Sequence, residues 1–360
     1  MNAFPITVPE LTLLIALCRA DLSPAQVQQI TPLVEGNLDW DFLVTIAKTR
    51  KLVPLILENL RRYFKAQIPP PLLDSLHDSL QRSMRSNLLL TQSMVELVQY
   101  MQRQGLQMVP FKGPILAQVA YSNPTRRYFA DLDFLVLETD FAAVSAHLTR
   151  IGMVANYLND PSYYRQSQFA APQTRLVIDL HYALTPAACF IEVPTPDLLD
   201  SLQPVGILGQ SILTLSPECH LLALCVDAAK DYWRSLVRLM DIAQLVGQPS
   251  LEWPRVLAHA QAWGCQRTLL QSLYLAHRLL DASFPQSVQA LIASGITYEV
   301  DDDTLVKQVL ELKVDLKASL RWHRFNMQAL ESFSNCARYL YRIGKFTARD
   351  RLALNQRIRT

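Results

Sequence analysis

The apolar pattern of this chain changes period twice, and that limits its folds more than any other feature. Up to residue 104 apolar residues recur at helical spacing; from Gly105 to about residue 215 short alternating runs take over; after Pro217 the helical period returns and holds to the end. Such a chain is an α/β (α+β) protein, with a small sheet carried between two helical regions. The expected division is an N-terminal helical region over 1–104, an α/β core over 105–215 and a C-terminal helical bundle over 216–360. No internal repeat and no low-complexity tract interrupts it.

Local signals sharpen this outline. Ser23 before Pro24 reads as an N-cap followed by proline in the first turn, and Asp39 or Asp41 opens a helix over 42–51. Three prolines at 69–71 stop one helix and start another, and residues 72–104 then run without Gly or Pro, as one long amphipathic helix or two joined end to end. In the middle segment 106–111, 129–137 and 176–181 predict strands, while 114–121 and 140–151 predict helices. Asp301-Asp302-Asp303 reads as an acidic helix start rather than a metal cluster.

Half of the 360 residues are apolar and 18% are charged, so a large core is feasible and disorder is excluded. With 34 Lys and Arg against 32 Asp and Glu, a strongly basic nucleic-acid coat is excluded too. Residues 321–360 depart from this balance with nine Lys and Arg against two acids, a net +7, which fits a solvated helix face better than an RNA surface. The apolar runs 11–18 and 221–226 fall far short of the roughly 20 residues a spanning helix needs. Glu10, with no Lys or Arg ahead of the first run, argues against a signal peptide, and the six cysteines are too scattered for zinc, so a cytoplasmic protein with reduced, buried thiols is expected.

The chemistry concentrates in one stretch. On a strand, residues two apart face the same way, so Asp131 and Asp133 present paired carboxylates while Leu132, Phe134 and Val136 mark a buried face. Adjacent carboxylates repel unless a cation sits between them, and Mg²⁺ (or Mn²⁺) suits a site of carboxylates and phosphate oxygens. Asp179 alternates in the same way within 176–181; if its strand neighbours the first, three carboxylates suffice for two metals and in-line phosphoryl transfer. Taken alone, Asp179 could instead cap a turn or pair with an arginine, and His181 reads as a core or supporting histidine. Upstream, Gly113 lets backbone approach a ligand and Pro114 opens a helix whose N-terminus faces phosphate, with Lys112, Arg126 and Arg127 supplying cations.

The run Lys112-Gly113-Pro114, then Tyr121, Arg127, Asp131-Leu132-Asp133 and Asp179-Leu180-His181, resembles the uncharacterised nucleotidyltransferase family 5 of the DNA polymerase β-like nucleotidyltransferase superfamily. The likeness extends through residues 228–230, Trp233 and Arg238-Leu239-Met240-Asp241, covering about 40–250. It implies a small mixed sheet beside a helical bundle, with Asp131, Asp133 and Asp179 as catalytic metal ligands. It further implies an NTP such as ATP held by Lys112, Gly113, Arg127 and Lys230. Asp241 joins Lys230 by analogy with toxin-type relatives. Gly113-Pro114 replaces the superfamily's commoner Gly-Ser or Gly-Gly, and Asp227 and Asp231 stand where the family often carries histidines.

Lys230 also reads as a solvated helix residue, and Arg238 with Asp241 as an i,i+3 surface pair worth a few tenths of a kcal/mol. The expected activity is metal-dependent transfer of NMP from an NTP to an unknown acceptor (small molecule, protein or RNA), releasing pyrophosphate. The rivals are a non-catalytic nucleotide-binding interaction module and a toxin-like enzyme that modifies tRNA.

Overall fold

The computed structural model describes residues 8–310 apart from 122, 157–160, 175, 188, 190 and 296–301, and beyond 310 only residues 312, 322–324, 327 and 337. Five helices come first: α1 (Pro9–Leu17), α2 (Pro24–Val34), α3 (Trp40–Thr49), α4 (Val53–Tyr63) and α5 (Pro70–Arg103). Ser23 and Gln26 cap α2 reciprocally, Ser23 Oγ accepting from Gln26 N at 3.3 Å and Gln26 Oε1 from Ser23 N at 2.8 Å. Asp39 caps α3 by accepting from Phe42 N at 2.9 Å. With no breaker after Pro71, α5 is one uninterrupted helix of 34 residues, about 51 Å long.

The middle segment supplies β1 (Val109–Pro110), α6 (Gly113–Ala120), β2 (Leu132–Leu135), α7 (Glu138–Arg150), β3 (Val154–Asn156), α8 (Pro161–Tyr164), β4 (Gln166–Ala170), β5 (Val177–His181) and α9 (Thr195–Leu199). Its strands form one mixed sheet in the order β1-β2-β5-β4-β3, with β2 and β5 parallel and the other pairs antiparallel. A hairpin of β6 (Leu202–Ile207) and β7 (Gln210–Leu215) turns through Leu208 and Gly209, both at positive φ, as a two-residue turn of type I′ requires. Thr214 Oγ1 ties it to the sheet by donating to the Pro110 carbonyl at 2.7 Å.

The sheet is shorter in each strand and richer in strands than the sequence predicts. β2 begins at Leu132 rather than 129. β3, β4 and the hairpin were not expected, because β3 is half exposed without alternation and β6 carries Pro204 and Gly206, which weaken a strand signal.

One face of the sheet, made by Leu132, Phe134, Ile178 and Leu180, is fully buried against the C-terminal half of α5 and against Val144 and Leu148 of α7. Burying each such side chain contributes about 1.5–3 kcal/mol. The chain ends in α10 (Pro217–Lys230), α11 (Leu236–Val246), α12 (Trp253–Ala262), α13 (Gln266–Leu280), α14 (Gln286–Gly295) and α15 (Asp302–Val309). Leu13, Leu14, Leu55 and Ile56 of the first helices share one apolar core with Leu221, Leu222, Leu239 and Leu273 of the last, so the two helical regions meet in space.

Asp302 opens α15 and Asp303 pairs with Lys307 at 2.5 Å, while Asp301 lies outside the described residues. So does most of the basic segment 321–360, together with Cys336; Trp322 within it is buried. Cys18, Cys189, Cys219, Cys225 and Cys265 are all buried. No helix among the described residues is long and apolar enough to cross a membrane.

Candidate active site

Two parallel strands set the site. Asp133 of β2 is the register partner of Asp179 of β5, and parallel partners project from the same face. His181 lies two residues beyond Asp179 and shares that face. One ligand atom each from Asp133, Asp179 and His181 lie within 4.8 Å of one another. Gln168 of β4, paired with Asp179, donates from Nε2 to Asp179 Oδ1 at 3.0 Å. Asp131 lines the same cleft but precedes β2, so it stands outside this cluster, because the pleat that aligns alternate residues begins only at Leu132.

The opposite wall is built from helix ends. Gly113 opens α6 at φ +50°, and its carbonyl accepts from Arg127 at 3.3 Å. Lys112, just before it, sends Nζ to 3.1 Å from Asp133 Oδ1 and 3.0 Å from Asp227 Oδ1. Asp227 also receives Lys230 Nζ at 2.7 Å and Arg238 Nε at 2.8 Å, while Arg238 reaches Asp231 at 2.6 Å. Three cations thus converge on one buried carboxylate.

Burial alone pushes the Asp227 carboxyl up, but Arg238, Lys112 and Lys230 outweigh it and hold the group well below the usual carboxylate range. Burial pushes Asp133 up as well, and Lys112 and His181 more than reverse this, leaving it below that range. Asp179 goes the other way: burial and the Asp133 charge raise it. Burial depresses Lys112, yet Asp133 and Asp227 keep it above its ordinary value.

A second buried group braces the turn. Arg127 grips Asp241 bidentately, Nε and Nη2 each at 2.8 Å, and Tyr121 Oη donates to Asp241 Oδ1 at 2.6 Å. Arg127 therefore lines the cleft as a partner of Asp241 and of the Gly113 carbonyl. Arg126 turns away to Glu58 of α4, Nε at 2.7 Å, and does not line the cleft. Arg238 and Asp241 do not pair with each other. The surface-pair reading of these two fails because α11 sends each to a different buried partner.

The cleft holds about 620 Å³, and Lys112, Gly113, Arg127, Asp131, Asp133, Asp179 and Lys230 all line it. Motif and spacing give Asp227 no role. Its signal was present: a charge inside the buried, otherwise apolar run 221–229 of α10 has to be paired. In the sequence His181 reads as a core or supporting histidine; the Asp179-x-His181 alternation places it beside the carboxylates. Its ring is buried and lies edge-on to Phe111 with centroids 5.7 Å apart; Nε2 stands 3.4 Å from Asp133 Oδ1, and neither nitrogen makes a well-formed hydrogen bond among the described residues. Two carboxylates and an imidazole whose ligand atoms converge in one cluster fit a divalent cation.

Comparison with known proteins adds a family to this geometry. The family model described as uncharacterised nucleotidyltransferase matches residues 36–281. Among solved structures, an antigenic nucleotidyltransferase-like protein from Paracoccidioides brasiliensis is 15% identical, with a TM-score of 0.31 over 55% of this chain and 94% of that one. No curated protein matches the chain.

Proposed function

The chain belongs to the uncharacterised nucleotidyltransferase family, and from that premise we propose that it transfers a nucleoside monophosphate from an NTP to an acceptor hydroxyl. A bond forms between the acceptor oxygen and the α-phosphorus; the bond from that phosphorus to the β-phosphate oxygen breaks, and its electron pair leaves with pyrophosphate. The observation that carries this reading is one cleft with two opposed walls: an in-register carboxylate pair on the sheet, and a cluster of Lys112, Lys230 and Arg238 around Asp227 at the helix ends.

Asp133, Asp179 and His181, with Asp131 lining the same cleft, would hold Mg²⁺ or Mn²⁺, which when bound neutralises phosphate charge. Lys112, Gly113 and Lys230 receive the triphosphate. Arg127 supports it indirectly by fixing the Gly113 turn. Asp179 takes the proton from the acceptor hydroxyl. Rate gain then comes from alignment and preorganised charge rather than from a covalent intermediate.

A melting experiment with each NTP, ATP first, tests the reading. NTP with Mg²⁺ or Mn²⁺ raises the melting temperature, by about 2.7 kcal/mol of stability at a hundredfold excess over Kd, and a chelator cancels the rise. No shift with any nucleotide would contradict it; a shift that survives the chelator would favour a nucleotide-binding interaction module.

A further inference from the structure

A second cavity, of about 390 Å³, adjoins the active-site cleft between α3, α4 and α5, and Thr49, Lys51 and Tyr128 line both. Its lining carries Lys48, Lys51 and Arg82 and, among the described residues, no carboxylate. None of these three cations is in an ion pair among the described residues: Lys48 Nζ donates to Ser75 Oγ at 2.5 Å, and Lys51 Nζ sits 5.4 Å from the centroid of the Tyr128 ring. Arg82 shares one face of α5 with the hydroxyls of Ser79, Ser83 and Ser86, which helical spacing places in line along the groove.

Lys51 itself stands at φ +62° just past the end of α3, where glycine is the unstrained residue. The cations that face the proposed triphosphate are already gathered on Asp227 across the neighbouring cleft, whereas those of the groove pair with no acid among the described residues. A concave site lined by uncompensated cations and hydroxyls focuses field on an anion, and lysine and arginine with hydroxyl donors match phosphate oxygens.

We propose that this groove is the acceptor subsite, and that it binds a phosphate group carried by the acceptor so that the acceptor's nucleophile reaches the adjoining cleft. The word acceptor rests on the nucleotidyl-transfer reading; the phosphate binding does not. Two sources share this chemistry, a phosphomonoester and the backbone of a polynucleotide whose base packs on the Tyr128 ring.

The test is calorimetric binding of two probes to the full chain at low salt, glycerol 3-phosphate and a 5′-phosphorylated hexanucleotide. Wild type binds at least one of them, and the double variant Lys48→Gln/Arg82→Gln weakens that binding tenfold or more, while its affinity for NTP, measured without acceptor, stays within twofold of wild type. Binding of glycerol 3-phosphate identifies a phosphomonoester subsite. Binding of the hexanucleotide alone, with a salt slope that the double variant flattens, identifies a polynucleotide.

Lys51→Gly separates ligand contact from structure: it melts no lower than wild type, because glycine relieves the left-handed backbone, yet it loses probe affinity. The proposal is overturned if neither probe binds, or if the double variant binds as wild type does. Loss of the nucleotidyl-transfer reading shows separately, as absence of metal-dependent NTP binding with probe binding intact.

Discussion

Asp133 and Asp179 face each other as register partners on parallel strands, yet their surroundings drive their carboxyls in opposite directions. Lys112 holds Asp133 charged, whereas burial and the Asp133 charge disfavour ionisation of Asp179. At pH 7, therefore, Asp179→Asn melts at or above wild type, because a group that resists its charge is replaced by a neutral one. Asp133→Asn melts below wild type, since Lys112 loses a charge-assisted partner of a kind worth about 1.5–3 kcal/mol. Both variants lose metal-dependent transfer. A paired melting and turnover series checks this, and an Asp179→Asn variant several degrees less stable than wild type would contradict it.

Arg127 and Asp241 are both buried and bind each other bidentately, so removing either leaves an uncompensated charge inside. Arg127→Ala and Asp241→Ala should each cost about 3–5 kcal/mol, and an apolar double replacement such as Arg127→Met/Asp241→Leu should cost less than the sum. Denaturant melts of the four proteins read this coupling. Additive losses would mean that the two side chains act separately.

The fold's outline and the centre of the site were legible because both rest on local pattern. Alternation about Asp133 and Asp179 marks buried strands, the 72–104 run marks α5, and Ser23 marks a cap; each signal is contiguous in the chain. Partnerships across long separations were not legible. Arg127 to Asp241 spans 114 residues, and a sequence offers two charges without their pairing. Arg127 could thus be read as a phosphate ligand, and Arg238 with Asp241 as a surface pair. Asp131 was placed on β2 because alternation marks a strand well but its first residue poorly.

His220, buried in α10 with its Nε2 at the Phe111 carbonyl, gives the protein an acid limit. Burial pushes its imidazole from 6.5 down to about 4. The folded value lies below the unfolded one, so this contribution is complete above pH 6.5 and is lost as pH falls towards 4, amounting to about 3 kcal/mol. Half-buried His323, whose shift has the same direction, adds to the loss; Asp179, raised, opposes it. Melting temperature against pH should fall across this window in wild type and fall less in His220→Gln. An unchanged slope in the variant would contradict the assignment.

Gly113 joins the turn to the acidic strand: a Cβ there would sit 3.4 Å from the Asp131 carbonyl, and φ is +50°. Space is adequate, so the penalty for Gly113→Ala is conformational, about 1–2 kcal/mol. Asn tolerates this backbone better, so Gly113→Asn should recover part of the stability. Because the turn also presents the α6 N-terminus, NTP affinity should fall in the alanine variant. Chemical denaturation and nucleotide titration of both variants measure the two effects.

The most direct measurement follows the phosphorus. Each of the four NTPs, labelled in parallel at the α- and the γ-phosphate, is incubated with the protein, Mg²⁺ or Mn²⁺ and a cell extract as acceptor pool. The account predicts that α-label enters an acceptor with equimolar release of pyrophosphate, that γ-label enters none, and that Asp133→Asn abolishes the transfer. Transfer of γ-label, release of orthophosphate in place of pyrophosphate, or undiminished α-labelling by Asp133→Asn would contradict nucleotidyl transfer at this site.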